Sequence, residues 1–234
     1  FAAENVKSEN LNLTKKAEEV RPIMHQILSN MHELRPYMIS AEEFQNPKND
    51  HKIKEHLSML TKLIKKAKHK EILKTSMLSI SRQTLENHFR ELERVFKIGS
   101  KPYARWALNS TFPLCMSCHT QTALGPNDPW KLDGFKDLGD PFEQAEFLFA
   151  GRDYEKALEF YDRLIDSYTK NDVKSAQLDT VIARKMTYFA RVKRDFKNGI
   201  VSLERSLQNK ELPEGTRRNL EAWIGLFRIE SKAK

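Results

Sequence analysis

Along the first half of the chain, apolar side chains recur at steps of three and four, and each such stripe predicts a helix with one buried face. The first runs through Val20, Met24, Ile27, Met31, Leu34 and Met38. Pro22 suits a first helical turn better than an interior, so a separate helical piece over residues 11–20 is expected to meet this helix at a break. Pro36 is expected to loosen its far end. The polar stretch Gln45-Asn46-Pro47-Lys48-Asn49-Asp50 leads to a second stripe at Ile53, Leu57, Leu60, Ile64 and Ala67. The third passes through Leu73, Met77, Ile80, Leu85, Phe89, Leu92 and Phe96 and is stopped by Gly99 and Pro102. Residues 103–108 form a short fourth segment, and Ser110 or Thr111 can cap a further helix near Pro113. His88 borders the third stripe and reads as a structural histidine, while His32, His51, His56 and His69 fall on polar, solvent-facing positions.

The periodicity breaks at Gly125-Pro126-Asn127-Asp128-Pro129, at Gly134 and at Gly139-Asp140-Pro141. This divides a domain of residues 1–138 from one of residues 139–234. In the second, Arg152-Asp153-Tyr154-Glu155-Lys156-Ala157-Leu158 returns in pattern as Arg194-Asp195-Phe196-Lys197-Asn198-Gly199-Ile200, 42 positions later. Tyr161, Leu164 and Ile165 extend the first copy, and Leu203 and Leu207 the second. Repeated helical units bury their apolar faces by stacking on one another. Residues 216–229, with Leu220, Trp223, Ile224 and Phe227 on one face, read as a helix that closes the stack. With no strand-like alternation, and only 8 Gly and 9 Pro in 234 residues, the expected fold class is all-α.

Charge narrows the partners. Residues 48–101 hold 14 Lys and Arg against 6 Asp and Glu, which equals the whole net charge of +8. The lysine run Lys62, Lys65, Lys66, Lys68, Lys70 and Lys74 has no interleaved aromatics for base stacking, so no nucleic-acid partner is expected. It reads as a solvated helix face or a docking patch for an acidic protein. No run of 18 or more apolar residues exists, and no membrane span is expected. The opening Phe1-Ala2-Ala3-Glu4, without Met, is what a mature chain would show after removal of a secretory signal.

The two cysteines stand in one window, Cys115-Met116-Ser117-Cys118-His119, so they build no disulfide framework. Cys-x-x-Cys-His is the attachment signature of c-type haem. Two thiols three positions apart add to the two vinyl groups of one porphyrin, and the adjacent imidazole of His119 ligates the iron. Structural zinc would need two more Cys or His ligands, and a thioredoxin-like pair would need a βαβ setting. The expected cofactor is one covalent haem c. Covalent maturation of this kind is performed outside the bacterial cytoplasm, so a periplasmic or secreted protein is expected.

Three amphipathic helices followed by a late haem motif resemble cytochrome c prime and its low-spin relatives, four-helix bundles whose last helix carries the haem. The resemblance covers roughly residues 10–130 and includes Val20-Arg21, where that family often places an Arg near a haem propionate. It implies that the sixth iron ligand, if present, comes from three to four residues after this Arg, where Met24 and His25 stand. Arg21 and Arg105 are the expected propionate contacts. Trp106 and Phe112, with Tyr103, precede the motif closely enough to wall the pocket. Family bundles often pair as homodimers. The second domain resembles tetratricopeptide repeats, in which an Asp-aromatic pair ends the turn between helices and a small residue three positions on permits close packing. Asp153-Tyr154 with Ala157, and Asp195-Phe196 with Gly199, carry that resemblance, and Ala145, Leu148, Ala183 and Ala190 supply part of the first-helix pattern.

The expected function is one-electron transfer by a periplasmic or secreted c-type cytochrome, docked through its helical repeats to an acidic redox or signalling partner. A five-coordinate haem that senses or binds a diatomic gas is the alternative, as is a haem-free thiol redox or scaffold protein. No nucleophile elbow, phosphate loop or paired-carboxylate motif is present, so no enzymatic activity is expected.

Overall fold

The computed structural model describes residues 2–68, 70–74, 76–120, 139–169 and 175–232. His69, Gly125-Pro126-Asn127-Asp128-Pro129 and Gly134 lie outside the described residues. Those described contain helices and turns and no strand, so the chain is all-helical. They fall into two compact units, one ending at His119 and the other running from Gly139 onward.

The first unit begins with α1 (Ala2–Ile39), followed by α2 (Ala41–Gln45), α3 (Asp50–Ala67) and α4 (Ser76–Lys97), then α5 (Lys101–Asn109) and α6 (Thr111–His119). The expected break at Pro22 is absent, since α1 runs unbroken through both Pro22 and Pro36. Both prolines are exposed and lie opposite the buried row Val20, Ile23, Ile27, Met31, Leu34 and Met38. Each deprives the carbonyl four residues earlier of its donor, and on the outer side of a helix water supplies the missing bond. Ile23, on the other side of that proline, takes the buried place expected for Met24, which is half-buried. Ser40 then caps α2 by accepting from the Glu43 N–H at 3.1 Å, and Phe44 is fully buried against the Phe96 ring at 5.6 Å.

Helix α3 buries the whole predicted stripe, and Leu63 joins it. In α4 the stripe shifts: Met77 and Ile80 are 65% and 67% exposed, and Leu78 and Arg82 are buried instead. Arg82 is held by Glu86 one turn on, at 2.6 Å, which offsets the cost of burying its charge. Gly99 ends α4 at φ +85, while the Ser100 N–H reaches back to the Val95 carbonyl and the Gly99 N–H to that of Phe96. Packing runs α1 on α3, α3 on α4, and α4 on both α5 and α6; α5 also touches α1 and α2. His56 is half-buried rather than solvated, with its Nδ1 2.8 Å from Asn30 Oδ1 of α1.

The second unit holds α7 (Pro141–Ala150), α8 (Tyr154–Asp166), α9 (Ser175–Thr187), a π-helical turn (Tyr188–Lys193), α10 (Phe196–Ser206) and α11 (Glu214–Lys232). Each packs on its successor. Asp140 caps α7 through the Glu143 N–H at 2.9 Å, and Pro141 occupies the first turn. The two copies of the sequence repeat share one local design. Arg152 and Arg194 both adopt the left-handed backbone, at φ 68 and 54, and α8 and α10 start two residues later at Tyr154 and Phe196. Ala157 and Gly199 are both buried.

Candidate functional site

Helix α6 carries the chemistry. Its first residue, Thr111, is fully buried, and its Oγ1 lies 3.0 Å from His88 Nε2, which ties the start of α6 to α4. At 100° per residue, Phe112, Cys115, Cys118 and His119 share about a third of the helix circumference. The buried Thr111 and Met116 belong to the same inward half, whereas Pro113 and Ser117, opposite, are exposed. Both thiols and the imidazole therefore leave α6 on the side that faces its own unit.

Cys115 and Cys118 are half-buried and not bonded to each other. Burial, with the neighbouring Cys118 charge behind it, pushes the Cys115 thiol up to about 12, so it stays protonated at neutral pH. Two thiols and one imidazole on one helical face are the donor set that covalent haem requires, so these residues fit the group. Among the described residues, no cluster of three or more His, Cys, Asp or Glu is arranged to hold a bare metal ion.

On α1, Arg21, Met24 and His25 are half-buried. Asn30, bonded to α3, marks the flank of α1 that faces that helix, and Met24, Arg21 and His25 stand 120° or more around from it. Burial, then the Arg21 charge, lowers the His25 pKa below its ordinary value. Arg21 pairs with Glu18 at 2.9 Å and lies well inside α1, not at the opening of a helix.

Contacts between helices fix which residues stand level. Glu19 pairs with Lys70 and Asn30 with His56 between α1 and the α3 side; Thr61 meets the Phe89 carbonyl, and His88 meets Thr111. Carried through these antiparallel pairs, His119 stands level with about residues 16–19 of α1. Met24 stands nearer the level of Thr111, about five to eight residues or roughly 7–12 Å along the axis from His119.

Arg105 is committed elsewhere. Its guanidinium donates to the Ile39 carbonyl at 2.8 Å and the Tyr37 carbonyl at 3.4 Å, closing the C-terminal end of α1. Trp106 is 62% exposed on the outer face of α5, where its ring stacks on Tyr103 at 5.5 Å, so neither lines the inward face that carries the thiols. Phe112 is half-buried on that face.

In the second unit the structure adds two polar clusters that the sequence pattern did not reveal. Glu146 accepts from Tyr161 Oη at 2.6 Å and from Arg184 Nε and Nη2 at 2.9 and 2.8 Å, which joins α7, α8 and α9. Lys185, 0% exposed, donates to Asp162 at 2.6 Å, to Ser206 Oγ at 2.7 Å and to the Ser202 carbonyl at 3.1 Å. Only its burial where α8, α9 and α10 meet identifies Lys185. Both clusters are filled by their own partners and serve packing. Comparison of the chain with models of known protein families, with curated proteins and with solved structures finds no match.

Proposed function

We propose that this chain is a monohaem c-type cytochrome, periplasmic or secreted, that exchanges single electrons with an acidic protein partner. One observation carries the proposal: Cys115, Cys118 and His119 leave the same inward face of α6, with no disulfide joining the two thiols. Bound haem c would supply a one-electron iron couple and a porphyrin edge for electron exchange. Cys115 and Cys118 would anchor it and His119 would hold the iron. His88, through Thr111, fixes the start of α6 and hence the direction of the three. Phe112 offers apolar surface beside the thiols, and Arg21, half-exposed beside Glu18 at about the level of Cys115, would meet a propionate. Helices α1, α3, α4 and the α5–α6 pair support an arrangement like cytochrome c prime. The pairs α7–α8 and α9–α10, closed by α11, support the tetratricopeptide-like reading and a protein-docking role.

The level of Met24 favours a second reading of the same site. With Met24 and His25 offset from the level of His119, neither residue would hold the iron, and bound haem c would offer a binding position to a diatomic gas.

The test is production of the full chain in a host with cytochrome c maturation, followed by mass spectrometry and absorption spectra of oxidised, reduced and carbon-monoxide-treated protein. A gain of roughly 600 Da with a haem spectrum is expected, and replacing Cys115 and Cys118 together by Ala abolishes it. An unmodified mass overturns the proposal and leaves a thiol or scaffold protein. A low-spin spectrum that resists carbon monoxide upholds electron transfer; rapid binding to the reduced protein selects the open-site reading.

A further inference from the structure

Helix α11 packs on α9 and α10 with one face and, among the described residues, leaves the other uncovered. Its inner face, Thr216, Leu220, Ile224 and Phe227, is buried. On the opposite side Ala222, Gly225, Leu226 and Ile229 fall within about 100° of one another, with Leu226 and Ile229 55% and 65% exposed. A Cβ added at Gly225 would meet nothing within 4 Å. Charged side chains are displaced to the ends and flanks: Arg218 closes the stripe at its start, and Glu221 and Arg228, seven residues apart, share one flank.

We infer that this face pairs with the same face of a second copy of the chain, α11 against α11 in antiparallel register about a two-fold axis. The charge pattern selects that occupant. Two-fold pairing brings like flanks together, so Glu221 of each copy stands opposite Arg228 of the other, an attractive pair made twice by one register. At a level that differs by two residues, about 3 Å and within reach of an Arg side chain, Ala222 stands against Gly225 at the centre, where small residues allow close approach of the helices, and Ile229 against the stem of Arg218 at each end. Asn219 lies beside Leu226 on the other flank, so no like charges meet. Arg228 already reaches Glu204 of its own chain at 2.7 Å, which holds its guanidinium at the rim. A contact of about three turns lies at the small end of specific interfaces, so the pair is weak and concentration-dependent.

Sedimentation velocity of the full chain from about 1 to 500 µM, a range set by that weak class of contact, reads the prediction as a mass rising towards twice that of one chain. The double variant Leu226→Glu and Ile229→Glu stays monomeric throughout, with helicity and melting temperature retained because both positions are exposed. Glu221→Arg alone and Arg228→Glu alone each weaken pairing about tenfold, and the two together restore it. A wild-type monomer across the range overturns the inference and leaves the face to a different partner. So does a dimer that survives the Leu226 and Ile229 changes, or a charge exchange that restores nothing.

Discussion

Replacing Gly199 by Ala tests how tightly the second unit is closed. The new Cβ would stand 2.6 and 2.8 Å from two ring carbons of Phe227 and 3.0 Å from the Cβ of Phe189. Phe227 is itself buried and packed edge-on to Phe196 at 5.3 Å, so its ring has no open side to swing into. Forcing a methyl into a packed core costs about 1–3 kcal/mol, against about 1 kcal/mol gained because Ala holds a helix better than Gly. Two contacts below 3.0 Å put the cost in the upper half of that range, so the net loss is about 1–2 kcal/mol, or a melting temperature lowered by about 5–10 °C for a unit of roughly a hundred residues. Gly215, near the start of α11, is the control: its Cβ meets nothing within 4 Å, so Gly215→Ala gains about 0.5 kcal/mol. Thermal unfolding followed by circular dichroism reads both. The reasoning is refuted if Gly199→Ala melts at or above the wild-type temperature while Gly215→Ala behaves as stated.

Asp162→Ala strips the fully buried Lys185 of its counter-charge and should cost about 3–5 kcal/mol in urea unfolding at neutral pH. Burial already lowers the Lys185 pKa from 10.5 in the folded state, so the unfolded chain binds the extra proton and the group favours folding as pH rises; the Asp162→Ala deficit therefore narrows towards pH 10.5, and a pH-independent deficit would contradict the assignment. In the haem-free chain, the Cys115 thiol at about 12 instead of 9.0 should be alkylated about a thousandfold more slowly at pH 8 than in denaturant, and equal rates would show that it is not buried as described. Trp106→Ala, on the outer face of α5, should leave haem yield and spectrum unchanged, whereas Phe112→Ala lowers the yield severalfold.

The helices of the first unit were legible because burial follows the three-four rhythm wherever two neighbours cover a helix, as along Ile53 to Ala67. The rhythm misled where only one side is covered. Met77 and Ile80 lie near the start of α4, and their apolar character says nothing of whether a neighbour is there to bury them. Pro22 misled for another reason: its cost depends on whether the freed carbonyl faces water, a property of the assembled bundle rather than of the dipeptide. At the site, Cys115, Cys118 and His119 were readable because their chemistry is local and their spacing places them on one helical face. Arg105 and Trp106 were proposed from closeness along the chain and Met24 from the family resemblance, and the surroundings of all three are set by contacts between helices. Arg105 is engaged by carbonyls more than sixty residues away, which no short-range pattern encodes.

The π-helical turn at Tyr188–Lys193 bears on how such repeats are measured. In the first copy the carbonyl that closes the turn belongs to Leu148 and its donor is Asp153; in the second they are Phe189 and Asp195, one residue further apart. The turn absorbs an insertion. Helices after it keep the 42-residue period, while the helix before it is offset by 41, so Phe189 and not Ala190 is the counterpart of Leu148. A ruler of constant length laid along this chain would rotate α9 by a full 100° and exchange its inside for its outside. Repeat detection that tolerates a slip of one residue at the close of the first helix would recognise copies in this chain that strict periodicity misaligns.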